Sequence, residues 1–150
     1  MLPKLLRYAQ YGEETMVREG EHARVAVVDD DSSTRTALAR LLQLAEFDVQ
    51  TFSSADQLLN SPARFHCVVI DVHLSGLSGT GLHAALRNAG REVPVVLITG
   101  HDTPSAEEYA RAVGVPYLRK PVLARDLLSA VQLAISRGNE ATGLQEKQRT

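Results

Sequence analysis

Four short apolar runs, each ending on a polar group, limit the folds open to this chain more than any other feature. Val25-Ala26-Val27-Val28 leads into Asp29-Asp30-Asp31, and Cys67-Val68-Val69-Ile70 leads into Asp71. Val95-Val96-Leu97-Ile98 is closed by Thr99, and Val115-Pro116-Tyr117-Leu118-Arg119 by Lys120-Pro121. Strands this continuously apolar are those covered on both faces, as in a parallel sheet flanked by helices. Ligands bind outside the carboxyl edge of such a sheet. The pattern therefore brings several carboxylates, a hydroxyl and an ammonium to one edge, a set suited to a divalent metal and a phosphoryl group.

Helical patterns fill the intervals. After Asp31, Ser32 or Ser33 can cap a helix with Ala37, Leu38, Leu41, Leu42 and Ala45 on one face. Val49-Gln50-Thr51-Phe52 reads as a short strand, and Ser54 with Gln57 reads as a capping box opening a helix that carries Leu58 and Leu59. Leu82, Ala85, Leu86 and Ala89 form the next stripe. Pro104, Ser105 and Glu108 announce another helix with Tyr109, Ala112 and Val113 inward, and Leu127, Leu128, Val131 and Ile135 mark the last. Five strands alternating with five helices, joined by right-handed crossovers, predict an α/β fold. It is a single doubly wound five-stranded parallel sheet of flavodoxin-like order 2-1-3-4-5. The predicted domain covers residues 23–136. A polar extension at 1–22 precedes it, with a short helical patch at Leu2, Leu5, Leu6 and Ala9; a tail or linker at 137–150 follows.

Composition narrows the function classes. At 150 residues the chain holds one domain with a real core, and 44% hydrophobic with 23% charged residues is globular. A net charge of −2 lacks the basic surface that nucleic acid requires. Cys67 is the only cysteine, which leaves no disulfide framework or thiolate metal cluster and reads as a small buried strand residue. No stretch approaches the ~18 apolar residues of a spanning helix. The opening Met1-Leu2-Pro3-Lys4-Leu5-Leu6-Arg7 meets charge too early for a secretory signal, so a cytoplasmic location is expected.

Carboxylates held within a few ångströms resist joint ionisation unless a cation sits among them. Oxygen-only ligands with incomplete protein coordination favour Mg²⁺, and Mn²⁺ could substitute. A carboxylate beside such an ion can attack phosphorus; Lys120 would pair with a phosphoryl oxygen and Thr99 would donate a hydrogen bond to another. Taken singly, these residues have blander readings. Asp31 suits a helix start, Thr99 is an ordinary strand residue, and Lys120 could be solvated. Tyr117 could be plain packing, and Lys-Pro after a strand suggests a fixed peptide bond, open to the cis form, aiming the ammonium inward. His73 and His101 read as solvent-facing loop residues, while His22, His66 and His83 receive no role.

Taken together, Val28-Asp29-Asp30-Asp31, Val69-Ile70-Asp71, Leu97-Ile98-Thr99-Gly100 and Lys120-Pro121, with Gly79 closing the loop after Asp71, resemble the receiver domain of two-component response regulators. The resemblance covers residues 23–136. It implies that Asp71 is the phosphoacceptor, with Lys120 and Thr99 assisting. It also implies that Asp30, Asp71 and the backbone carbonyl of His73 bind Mg²⁺ directly, and that Asp29 acts through water. Tyr117 matches the family's aromatic switch residue. Gly100 is the small residue that leaves room for the phosphoryl group. The usual Met-Pro of the loop after the phosphoacceptor is here Leu74-Ser75, which frees backbone torsions. The partners implied are a histidine kinase or phosphotransfer protein and a downstream target. The face of the fourth helix, fifth strand and fifth helix would switch and could carry a homodimer, with no membrane or direct nucleic-acid contact.

The resulting expectation is a signalling phosphoacceptor, not an enzyme beyond its own phosphorylation and dephosphorylation. No effector motif follows residue 136, so a stand-alone regulator is expected; the alternative is the receiver piece of a DNA-binding transcription regulator. The rival is a haloacid-dehalogenase-type phosphatase using Asp29 in an Asp-x-Asp motif. That reading needs a later acidic motif where only Asp126 remains, and it leaves Asp71 idle. A non-phosphorylated interaction module on the same fold is a third reading, but none of the acidic residues is missing.

Overall fold

The structure, a computed structural model, describes residues 22–101 and 103–149. Five strands and five helices alternate along the chain: β1 (Arg24–Val28), α1 (Ser32–Leu44), β2 (Asp48–Phe52), α2 (Ala55–Asn60), β3 (Cys67–Asp71), α3 (Gly79–Asn88), β4 (Val95–Thr99), α4 (Pro104–Val113), β5 (Tyr117–Arg119) and α5 (Ala124–Arg149). All strand pairs are parallel, in the order β2-β1-β3-β4-β5. This is the predicted doubly wound sheet.

Its apolar runs serve two cores at once. Val25, Val27, Cys67, Val69, Val96 and Ile98 face α1 and α5, meeting Leu38, Leu42, Leu127, Val131 and Ile135. The alternate residues Ala26, Val28, Val68, Ile70, Val95 and Leu97 face the other way, against Leu58, Leu82, Leu86, Ala106 and Ala110 of α2, α3 and α4. Side chains alternate along a strand, so a strand sandwiched between helices needs apolar residues at every position. β1, β3 and β4 are correspondingly buried almost throughout, and β3 and β4 are buried to the last residue.

Several local expectations shift. The α1 cap is Asp31, not Ser32 or Ser33: its carboxylate accepts from the Ser33 backbone N–H at 3.2 Å and from the Thr34 hydroxyl at 2.7 Å. Ala39 replaces Ala37 in the buried stripe of α1. Ala89 is exposed at the end of α3, and Ala112 is exposed in α4, whose inward residues are Ala106 and Ala110. These alanines are too small to mark a helix face by hydropathy alone. β5 starts at Tyr117 rather than Val115, because Val115 and Pro116 still belong to the turn after the left-handed Gly114. The Ser54–Gln57 start of α2 forms, although Gln57 Oε1 accepts from the Ser53 N–H instead of Ser54's own. The backbone of α5 continues to Arg149, beyond the expected domain end at residue 136. Glu, Gln, Lys and Leu carry helix propensity there. The polar extension and its helical patch lie in residues 1–21, outside the described residues, with His22 the only part of the 1–22 segment described.

Candidate functional site

The carboxyl ends of β1 and β3 lie side by side, with Val28 paired to Ile70, so Asp29 and Asp71 emerge from adjacent strands. Asp29 is fully buried and Asp71 is 4% exposed. Burial of two neighbouring carboxylates demands compensation. Lys120 supplies it: Nζ donates to Asp29 Oδ2 at 3.0 Å and to Asp71 Oδ2 at 3.1 Å. Backbone N–H groups take the other oxygens. Asp31 N–H donates to Asp29 Oδ1 at 2.9 Å, and His73 N–H to Asp71 Oδ1 at 3.1 Å.

Lys120 follows the end of β5, where its backbone N–H donates to the Thr99 carbonyl at 2.7 Å. The Lys120–Pro121 peptide bond is cis. A Cβ at Gly100 would stand 3.6 Å from Lys120 Cδ, an ordinary contact, so the glycine leaves open space beside the lysine. Gly79 does more: a Cβ there would lie 2.4 Å from the Asp71 carbonyl oxygen and 2.8 Å from Val72 Cα. Only glycine lets the start of α3 close this tightly on the end of β3.

Electrostatics follow from the geometry. Burial raises the Asp29 pKa above the usual carboxylate range; hydrogen bonds from Asp31 and Lys120 oppose the rise, and the Asp71 charge adds to it. Burial also works against the charge of Lys120, but its bonds to Asp29 and Asp71 and their negative charge outweigh it, so the ammonium pKa is raised. Asp31 is held lower by its bonds to the Thr34 hydroxyl and the Ser33 N–H.

Asp30 completes an acidic cluster. One carboxylate oxygen from each of Asp29, Asp30 and Asp71 lies within 4.8 Å of the others. Asp30 is exposed, and its Oδ2 accepts from the Ser75 hydroxyl at 3.0 Å. The donor set is all oxygen, partly open to solvent and rich in negative charge, which fits a hard divalent cation. Thr99, 1% exposed, ends the neighbouring strand β4. Its hydroxyl is turned onto its own loop, donating to the His101 carbonyl at 2.8 Å and accepting from the His101 N–H at 3.2 Å. Tyr117 is partly buried at the start of β5, against the core cluster under α2, α3 and α4. Asp29, Asp30, Asp71 and Lys120 thus meet at one edge; Thr99 ends the strand beside them, with its hydroxyl on His101, and Tyr117 packs into the core.

His73 and His101 are exposed, as expected, and their rings meet edge-on with centroids 5.4 Å apart. His73 Nε2 also lies 2.9 Å from the Thr103 hydroxyl, which ties the β3–α3 loop to the start of α4. Cys67 is buried and its thiol is pushed up to about 12 by burial, consistent with an inert packing residue. His83 was given no role by sequence reasoning. It is buried in α3, with Nδ1 2.6 Å from the Tyr109 hydroxyl of α4; desolvation, then the Arg87 charge, lowers its pKa. Its spacing one residue after Leu82 and three before Leu86 on the α3 stripe was the available signal. Ser75, which stands where the family's usual proline would, reaches the site through its hydroxyl.

The profile described as the response regulator receiver domain matches residues 25–132. The transcriptional regulatory protein TdiR of Thauera aromatica is 33% identical over 88% of this chain and 60% of its own length. Nodulation protein W of Bradyrhizobium diazoefficiens is 37% identical over 85% of this chain and 56% of its own length. The chain therefore spans well under two thirds of those relatives. The BeF3-activated DrrB receiver domain superposes with a TM-score of 0.69 at 29% identity, covering 77% of this chain and 99% of that one. No described helix is long and apolar enough to cross a membrane. Topology, clustered carboxylates, bridging lysine and sequence kinship converge: the chain belongs to the response regulator receiver domain family of two-component signalling.

Proposed function

We propose that Asp71 accepts a phosphoryl group from the phosphohistidine of a histidine kinase or phosphotransfer protein. The observation that carries this reading is Lys120 Nζ bridging Asp29 and Asp71 with Asp30 alongside. An Asp71 carboxylate oxygen attacks phosphorus, an O–P bond forms, and the P–N bond breaks as the imidazole departs. Water later attacks phosphorus and returns Asp71 and inorganic phosphate.

Asp30, Asp71 and the His73 carbonyl would hold Mg²⁺ or Mn²⁺, with Asp29 acting through water. When bound there, the ion offsets negative charge on nucleophile and phosphoryl group. Lys120 turns its ammonium to a phosphoryl oxygen. The Thr99 hydroxyl leaves the His101 carbonyl to donate to another oxygen, and Tyr117 turns into the vacated space. The surface of α4, β5 and α5 then changes its affinity for a target or for a second copy. The setting is the cytoplasm.

A phosphatase using Asp29 is the weaker reading, because Asp29 is fully buried and tied to Lys120 and the Asp31 N–H, while Asp71 would have no work. A second reading of the output has specific support. TdiR, 33% identical, is a transcriptional regulatory protein, and by that kinship the output would be control of transcription by a DNA-binding partner segment. Labelling with a small phosphodonor separates the chemistries. Asp71→Asn should abolish the covalent label; full retention in that variant, with loss in Asp29→Asn, would refute the assignment.

A further inference from the structure

Asp29 and Asp71 are each clamped twice, by Lys120 and by a backbone N–H. Asp30 is different. It is exposed, and among the described residues its only hydrogen-bond partner is Ser75, whose Oγ donates to Oδ2 at 3.0 Å. Without that bond an exposed carboxylate samples several rotamers, and only some keep an oxygen within 4.8 Å of Asp29 and Asp71. Ser75 reaches it from the loop between β3 and α3, 45 residues away in the chain, so the bond also ties that loop to the end of β1.

We propose that Ser75 is a positioning residue for cation binding: its hydroxyl fixes the Asp30 carboxylate so that an oxygen stays presented to the acidic cluster. The role rests on the metal reading given under the proposed function. Oδ2 accepts the hydroxyl's hydrogen bond, and the carboxylate so held remains available as a ligand. Partners of this kind, which orient a ligating carboxylate without touching the ion, typically change metal affinity by roughly 10- to 100-fold when removed. Ser75 is exposed, so its truncation leaves the cores intact.

The test is Mn²⁺ binding to the unphosphorylated full chain, read by loss of the free-ion electron paramagnetic resonance signal. Ser75→Ala should weaken binding about tenfold. Ser75→Thr, which keeps the hydroxyl, should restore it, and Ser75→Ala should add nothing in an Asp30→Asn background. Binding by Ser75→Ala equal to that of the unaltered chain, while Asp30→Asn binds poorly, overturns the Ser75 role alone. So does an equal Ser75→Ala loss in the Asp30→Asn background. An unaltered chain that binds no Mn²⁺, or an Asp30→Asn variant that binds as well, overturns the metal reading and the Ser75 role with it.

Discussion

Replacing Lys120 with methionine keeps most of the side-chain length and removes the cation that pairs with both the Asp29 and the Asp71 carboxylates. Two buried carboxylates would then face each other with one backbone N–H bond each and no cation between them. Removing one partner of a buried ion pair costs about 3–5 kcal/mol. The Lys120 side chain is 23% exposed, which argues for the lower end, about 3 kcal/mol at pH 7.5. The pair can also escape by taking up a proton. From the ordinary carboxylate value of 3.8, protonation costs about 1.36 kcal/mol per pH unit, hence about 5 kcal/mol at pH 7.5 and about 1.6 kcal/mol at pH 5.0.

The loss at pH 5.0 is therefore capped near 1.6 kcal/mol, roughly half of that at pH 7.5. The sign follows from Asp29, whose folded pKa already lies above its unfolded value through burial, opposed by its hydrogen bonds. Without the lysine it rises further, so the native state binds more protons and stability falls as pH climbs from 3.8 through the raised value. Lys120 itself is fully charged in this window; its own raised pKa matters only above its ordinary 10.5, where its contribution is lost. Urea unfolding of both proteins at the two pH values, without added divalent ions, measures the difference. A deficit equal at both pH values, or below 1 kcal/mol at pH 7.5, would refute the claim that Lys120 compensates buried charge.

Gly79→Ala should destabilise the domain by about 2–3 kcal/mol and slow labelling of Asp71, because the new methyl meets backbone atoms that cannot swing aside. Urea midpoints and phosphodonor labelling read the two effects, and an unchanged midpoint would contradict the close approach. Gly138→Ala sets two effects against each other. Helix propensity favours alanine by about 1 kcal/mol, but its Cβ would lie 2.5 Å from Pro94 Cγ. The proline ring can pucker but not leave, so a net loss of about 1 kcal/mol is expected; a raised melting temperature would show that α5 stands farther from β4.

Much of this protein is written locally. Apolar runs such as Cys67–Ile70, capped by Asp71, announce a buried parallel strand, because a strand covered on both faces cannot afford a polar position. The candidate site residues are legible for the same reason: a carboxylate at the end of so apolar a run has a strong cost to offset. Less was readable where small residues carry the face. Ala39, Ala106 and Ala110 are buried while Ala37 and Ala112 are not, since alanine suits either environment and only the neighbouring element decides.

The contacts that make the site work are another matter. Nothing local couples residue 120 to residues 29 and 71, Ser75 to Asp30, or His83 to Tyr109. Those pairs are set when parallel crossovers bring loops from different βα units to one edge, and when the sheet brings His83 of α3 to Tyr109 of α4. The order of elements and the chemistry at each strand end follow from periodicity and desolvation cost, which act over a few neighbouring residues. Which oxygen meets which nitrogen depends on distances across the sheet, and those exist only once the chain has folded.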